Sequence, residues 1–206
     1  DPCIKFLKNN GCEIDLTKSL KSIKIDNNHI SKLCFSEKTI QINEQDSVIF
    51  AIPPTNFSKF FPNYILPSNY NSIVNIHYNL PKKLKKKITH QIVGFVNSNT
   101  HWLFVKDDYL SVTISNANHL NNLDSNKIAN IIWREICSFM NIKHQITEFQ
   151  VVKEKKATVE QSPANFELVK NINELPKNLS ICGDWTQTSL PCTIEASILS
   201  GKKAVI

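Results

Sequence analysis

The sequence predicts an α/β fold of mixed α+β character, and three features predict it. Residues 46–52 are an almost continuous apolar run stopped by Pro53-Pro54, the pattern of a strand covered on both faces in an α/β sheet. Residues 101–105 and 109–114, joined by the turn Lys106-Asp107-Asp108, read as an antiparallel hairpin and so imply a second sheet. Residues 179–182 are a short apolar strand leading through Gly183-Asp184 and a polar loop into a helix that starts near Thr193.

The other elements follow in order. Residues 3–10 read as the end of a helix closed by Gly11, the residue that best accepts a left-handed C-cap, with a strand expected next. From 13 to 42 apolar residues recur at alternate positions (Ile14, Leu16; Ile23, Ile25; Ile30, Leu33; Ile40, Ile42), broken by Asp26-Asn27-Asn28, which predicts a meander of about three strands. Residues 72–80 and 91–97 read as strands on either side of the run Pro81-Lys82-Lys83-Leu84-Lys85-Lys86-Lys87. Asp124 or Ser125 can cap a helix whose apolar face is Ile128, Ile131, Ile132, Ile136 and Phe139; core packing accounts for that stripe and for Trp133. Residues 146–152 read as another strand, and 163–176 as irregular.

Composition narrows the class. With 41% hydrophobic and 20% charged residues in 206, the chain can bury a core and is not a disordered polyion. It lacks any run of roughly 18 to 20 apolar residues, so it does not cross a bilayer as a helix by itself. The net charge of +6 is carried by Lys in an Asn-rich chain whose single arginine is Arg134, an arrangement that argues against nucleic acid. The lysine run 82–87 is a solvated loop or a contact for anionic headgroups, so the expected location is cytoplasmic, with possible peripheral membrane contact on the inner face. Six cysteines without a CxxC pair exclude zinc and thioredoxin frameworks; no metal is expected, and the thiols are expected to be reduced. The start at Asp1-Pro2, without an initiating Met, reads as a cut inside a larger protein.

The chemistry sits between 181 and 201. A buried strand delivers a carboxylate and a helix N-terminus to one place. Gly183 permits close approach of the backbone, Asp184 can accept hydrogen bonds from sugar or ribitol hydroxyls, and Thr193 can cap the helix. The free amides and positive dipole end of that helix favour negative charge on a bound ring, as in a reduced, anionic flavin. A bare Gly-Asp pair is most often an ordinary strand-turn-helix, but the whole run is far more specific: Gly183-Asp184-Trp185-Thr186, then Pro191-Cys192-Thr193-Ile194-Glu195, then Ser200-Gly201. It resembles the C-terminal flavin motif of the family of amine oxidases, phytoene desaturases and protoporphyrinogen oxidases, and most of all that of the hydroxysqualene dehydroxylases, also called squalene-associated FAD-dependent desaturases. Val151-Val152-Lys153 through Thr158 with Ser162-Pro163-Ala164, the hairpin, Ile73-Val74-Asn75-Ile76-His77, and Ile49-Phe50-Ala51-Ile52-Pro53-Pro54 are similar to further stretches of that family, in order.

The resemblance implies FAD as cofactor, part of a FAD-binding Rossmann-like domain and an antiparallel-sheet substrate domain. Their expected extents are 1–56 for the first FAD-domain portion, 57–150 for the substrate domain, and 151–206 for the return to the FAD domain. It places Asp184 and Gly183 on the ribitol or pyrophosphate portion, and the backbone of Thr193 and Ile194 against the isoalloxazine. Leu20 takes the place whose backbone holds the adenine, while Trp185 and Pro191 shape the loop under the ring. Glu195 settles the first helical turn. His77 and Trp102 are candidates to line the substrate cavity; His101 and His119 are no better supported as a catalytic acid, which stays unassigned. The family opens with G-x-G-x-x-G, whereas the glycines here are Gly11, Gly94, Gly183 and Gly201. The pyrophosphate-binding unit is therefore expected from an N-terminal segment outside this sequence. The implied reaction is reductive dehydroxylation of hydroxysqualene to squalene, an apolar isoprenoid, for bacterial hopanoid or sterol synthesis. A phytoene desaturase-like or amine oxidase-like flavoenzyme and a flavin-free binding or scaffold fragment are the rival expectations.

Overall fold

The structure, a computed structural model, describes residues 1–80, 91–146, 148–186 and 189–205; the lysine run lies outside the described residues. Contacts divide the chain into two units, residues 1–67 with 161–206 and residues 68–160. The sequence-based extents break near 56 and 150. The division falls later because α2 (Pro54–Phe57) still packs with the first unit and because β9 (Phe149–Val159) completes the second unit's sheet.

In the first unit, α1 (Pro2–Asn9) is capped by the Asp1 carboxylate on the Cys3 amide, and Gly11 follows at φ +78°. No strand follows directly: Leu16 is exposed and Thr17 holds φ +60°, so the alternating Ile14 and Leu16 lie outside any strand, and pairing begins at Leu20. The meander is β1 (Leu20–Asp26), β2 (His29–Phe35) and β3 (Thr39–Gln41), antiparallel throughout. Asn27 and Asn28 both take positive φ, the requirement of a two-residue type I′ turn that asparagine meets at little cost. Strand β4 (Val48–Phe50) pairs in parallel with β10 (Leu179–Ile181). Val48 and Phe50 are buried but Ile49 is 41% exposed, so the apolar run does not here mean cover on both faces. The rings of Phe57, Phe60 and Phe61 gather on Phe50.

Two findings in this unit escape sequence patterns. Helix α4 (Pro163–Lys170) occupies a stretch expected to be irregular; Ser162 caps it by accepting from the Asn165 amide, and Pro163 sits at its first position, a start signal that outweighs a weak apolar stripe. Asn178 reaches Ile30 with both ends of its amide: the Ile30 N–H donates to Oδ1 at 2.8 Å and Nδ2 donates to the Ile30 carbonyl at 3.0 Å. The side chain thus acts as a strand partner and ties the meander to β10. Asn178→Asp replaces a donor with a carboxylate facing that carbonyl. It is expected to cost about 2–4 kcal/mol, more than Asn178→Ala at about 1–2, read from urea melts.

The second unit is one antiparallel sheet in the order β6-β7-β8-β5-β9, with β5 (Tyr70–Asn79), β6 (Ile92–Gly94), β7 (Trp102–Val105) and β8 (Tyr109–Ile114). One face buries Val74, Ile76, Tyr78, Leu103, Leu110, Val112 and Ile114 against helix α3 (Ser125–Met140). Asp124 caps α3 as the sequence suggests, and Ile128, Ile132 and Ile136 are buried while Phe139 is half exposed. Each fully buried side chain of this kind contributes about 1.5–3 kcal/mol, so the α3 stripe anchors the unit. The buried Tyr78 phenol donates to the Ala129 carbonyl at 2.8 Å, and burial pushes its pKa well above the ordinary range, so it stays neutral. Trp133 Nε1 donates to the His144 carbonyl at 2.7 Å, in keeping with a packing role. Among the described residues no helix is long and apolar enough to cross a membrane.

Candidate functional site: the strand-turn-helix at 181–201

Strand β10 ends where the Cys182 amide donates to the Phe50 carbonyl, and the chain then turns at Gly183 with φ +149°. A side chain there would be strained by that φ, and its Cβ would lie 3.0 Å from Cδ1 and Nε1 of the Trp185 ring. The turn is satisfied from within. The Gly183 N–H donates to Ser200 Oγ at 2.9 Å, while the Gly183 carbonyl accepts from the amide and hydroxyl of Thr186 at 3.2 and 2.9 Å. Ser200 is 5% exposed, and its hydroxyl donates to the Ser197 carbonyl at 2.8 Å. Residues Asp184–Thr186 form one 3₁₀ turn where a polar loop was expected.

Within that turn the two flanking side chains diverge. Trp185 is buried, its Nε1 donating to the Ile52 carbonyl at 2.9 Å and its ring 6.2 Å from Phe57. Its indole donor is committed inside the unit, so the Trp185 side chain shapes the turn and has no N–H to offer a ligand. Asp184 is half-buried, and its carboxylate has no hydrogen-bond partner among the described residues. Such a carboxylate has its acceptor oxygens available to a ligand hydroxyl.

Beyond the turn, Gln161 holds the loop: its Nε2 donates to the Leu190 carbonyl at 3.2 Å and its Oε1 accepts from the Cys192 amide at 3.1 Å. Helix α5 (Ile194–Ala204) is capped by Thr193, whose hydroxyl accepts from the Ala196 amide at 3.3 Å and donates to the Pro191 carbonyl at 3.1 Å. The N–H groups of Ile194 and Glu195, at the start of the helix, have no intrahelical acceptor, and the Ile194 side chain is 81% exposed. Gly183, Asp184, Trp185, Thr193 and Ile194 thus belong to one strand-turn-helix.

Leu20 lies elsewhere in the same unit. It opens β1 opposite Phe35 and lines a cavity of about 470 Å3 with Leu33, Phe35 and residues 48–52. None of Gly183, Asp184, Thr193 or Ile194 lines that cavity. In the second unit, His77 and Trp102 share the sheet face opposite α3. The Trp102 ring lies over Gly94, where a Cβ would come within 3.1 Å, and the His77 ring meets Tyr109 edge-on at 6.0 Å. Sequence reasoning gave no role to Gln161 or Ser200. Ser200 lies in the motif's Ser-Gly pair, but nothing local marks a serine that bonds 17 residues back; Gln161 carries no signal at all.

The donor set suits a flavin. One strand-turn-helix carries both a carboxylate uncommitted to the described protein groups and a helix start with amides that lack an intrahelical acceptor, groups that match ligand hydroxyls and an electron-rich ring edge. Among the described residues no cluster of His, Cys, Asp or Glu is placed to hold a metal ion. Fold and site together are those of part of a flavin-dependent oxidoreductase. Residues 4–205 match the family of flavin containing amine oxidoreductases, and the chain belongs to it. It is 32% identical over 204 residues to the hydroxysqualene dehydroxylase of Sinorhizobium fredii, with 99% of this chain and 48% of that protein covered. To the hydroxysqualene dehydroxylase of Zymomonas mobilis it is 33% identical over 210 residues, 99% and 49% covered. The chain therefore spans about half the length of the curated relatives it matches. A putative protoporphyrinogen oxidase from Exiguobacterium sp. 255-15 shares the fold at TM-score 0.68 and 11% identity, with 99% of this chain and 50% of that one covered. Putrescine oxidase with bound putrescine does so at TM-score 0.68 and 10% identity, with 97% and 50% covered.

Proposed function

We propose that this chain is the C-terminal part of a FAD-dependent oxidoreductase that converts hydroxysqualene to squalene by reductive dehydroxylation. The observation that carries the reading is the uncommitted Asp184 carboxylate in the turn that Gly183 ties to α5 through Ser200, in a chain about a third identical along its whole length to hydroxysqualene dehydroxylases. In this reading Asp184 accepts from the ribitol portion, the amides of Ile194 and Glu195 face the ring, and Ser200 and Gln161 hold the turn and the loop in shape. Leu20 and its cavity take the adenine end. An N-terminal segment outside this sequence supplies the pyrophosphate-binding unit.

Reduced FAD, if bound, would supply the hydride equivalent for replacing the hydroxyl, with a proton from solvent taking the oxygen away as water. The chain's own residues have two further tasks: to hold a long apolar substrate away from water and to keep the reacting carbon in reach. His77 and Trp102 serve the first on the open sheet face. The substrate resides in lipid, so a shallow contact with anionic membrane through the lysine run 82–87 completes the reading.

The test is anaerobic. The complete polypeptide, photoreduced and given hydroxysqualene, is expected to return to the oxidised flavin spectrum and to yield squalene. Turnover of phytoene or of an amine in place of hydroxysqualene would move the protein to another branch of the same family.

A further inference from the structure

The sheet face opposite α3 is unusual for an open face. Along β5 the burial alternates: Ser72, Val74, Ile76 and Tyr78 are buried, while Ile73, Asn75 and His77 are half-buried on the other side. Register carries that second face across β8, β7 and β6 through Tyr109, Ser111, Thr113, Trp102, Phe104, Ile92 and Gly94. In a chain that is 20% charged, none of these residues of β5 to β8 is Lys, Arg, Asp or Glu; on β9 the same face carries Gln150, Val152 and Glu154. A sheet face exposed to water ordinarily alternates apolar-in with polar or charged-out. Here Ile92, Trp102 and Tyr109 are 60%, 48% and 38% exposed, as is Val152 of β9 at 43%.

One hydrogen-bonded pair interrupts this surface. Asn75 stands opposite Thr113 on one side and Val152 on the other, and Thr113 stands opposite Trp102, so the four form a single row across the strands. The Thr113 hydroxyl donates to Asn75 Oδ1 at 2.7 Å. That bond occupies the acceptor end of the amide and fixes its plane. The Nδ2 end keeps two N–H donors with no acceptor among the described residues. Apolar side chains flank the pair within the row, Val152 at one end and the Trp102 ring at the other.

We propose that Asn75, oriented by Thr113, recognises the hydroxyl of the substrate, its Nδ2 donating to that oxygen while the isoprenoid chain lies along Trp102 and Val152. This deepens the proposed function and rests on it. A long hydrocarbon with one hydroxyl is the ligand chemistry matched by the uncharged stretch of this face from β5 to β6, with its oriented amide at Asn75; the charge on the face, Glu154, lies on β9 opposite Ile73. Asn75 selects the hydroxylated substrate over its hydrocarbon product, and Thr113 is a positioning residue that acts through Asn75. Breaking the donor-acceptor match leaves the hydroxyl desolvated and unpaired, which is why the effect falls on discrimination.

The experiment measures equilibrium binding of hydroxysqualene and of squalene, in the same detergent, to the complete polypeptide with oxidised FAD, by perturbation of the flavin spectrum. The wild type is expected to prefer hydroxysqualene by about tenfold. Asn75→Leu is expected to erase that preference while leaving FAD content and squalene affinity within about twofold. Thr113→Val is expected to lose most of it, and Thr113→Ser, which keeps the donor, to restore it. A full preference retained in both Asn75→Leu and Thr113→Val overturns the assignment even though the wild type turns over hydroxysqualene. A wild type that binds neither ligand sinks the proposed function itself, and this assignment with it. Should Asn75→Leu fail to fold, the Thr113→Val and Thr113→Ser pair decides the matter alone.

Discussion

Asp184→Ala, made in the complete polypeptide, is expected to purify colourless or nearly so, with FAD affinity lowered by about a hundredfold. Two hydrogen bonds from ligand hydroxyls to an ionised acceptor are worth roughly 3 kcal/mol together, and each 1.4 kcal/mol is a factor of ten. Asp184→Asn keeps one acceptor but loses the charge, and is expected to fall about tenfold. The folded state is expected to be nearly indifferent to both, because no described protein group depends on that carboxylate for a hydrogen bond. Flavin fluorescence quenching gives the affinities, and thermal melts without added FAD give the comparison. An Asp184→Ala protein that retains yellow flavin at wild-type affinity would falsify the assignment of the 181–201 turn.

Glu135→Ala is expected to be strongly destabilising, at about 3 kcal/mol, or roughly 6–12 °C in Tm for a chain of this size. Glu135 lies on α3, yet its carboxylate gathers the loop between β6 and β7. It accepts from the Ser98 hydroxyl at 2.7 Å, from the Asn99 amide and side chain at 3.2 and 2.6 Å, and from the Thr100 amide and hydroxyl at 2.9 and 2.8 Å. Removing it strands the hydroxyl of Thr100, which is fully buried, and leaves the Thr100 amide with only the longer bond to Ser98 Oγ at 3.2 Å.

Burial alone would push this carboxyl up, but the hydrogen bonds from Ser98, Asn99 and Thr100 together outweigh it and hold the group at about 2, against an ordinary 4.5. A carboxylate depressed in the folded state contributes stability that is fully present above its unfolded value and lost as pH falls through its folded one. The gap between wild type and Glu135→Ala is thus expected to be widest above pH 4.5 and to narrow toward pH 2. Urea melts at a series of pH values read it, and a gap that stays constant on acidification would refute the charge-based account.

What the sequence determined by itself is local. Asn27-Asn28 could make a two-residue hairpin turn, Asp124 could cap α3, Thr193 could cap α5, and Gly183 could take a φ closed to other residues, because each depends on a side chain and the backbone within a few residues of it. The flavin motif was legible for the same reason: it is a contiguous run. The short helix α4 was missed although its Ser162-Pro163 start is local, because a weakly amphipathic stretch offers periodicity little to detect. What the tertiary structure alone decided is which distant groups meet. Asn178 with Ile30, Glu135 with residues 98–100, Ser200 with Gly183, and Thr113 with Asn75 are all pairings across elements. A hydrogen bond is set by distance and angle between its two atoms, and spacing along the chain constrains neither once the partners lie on different elements.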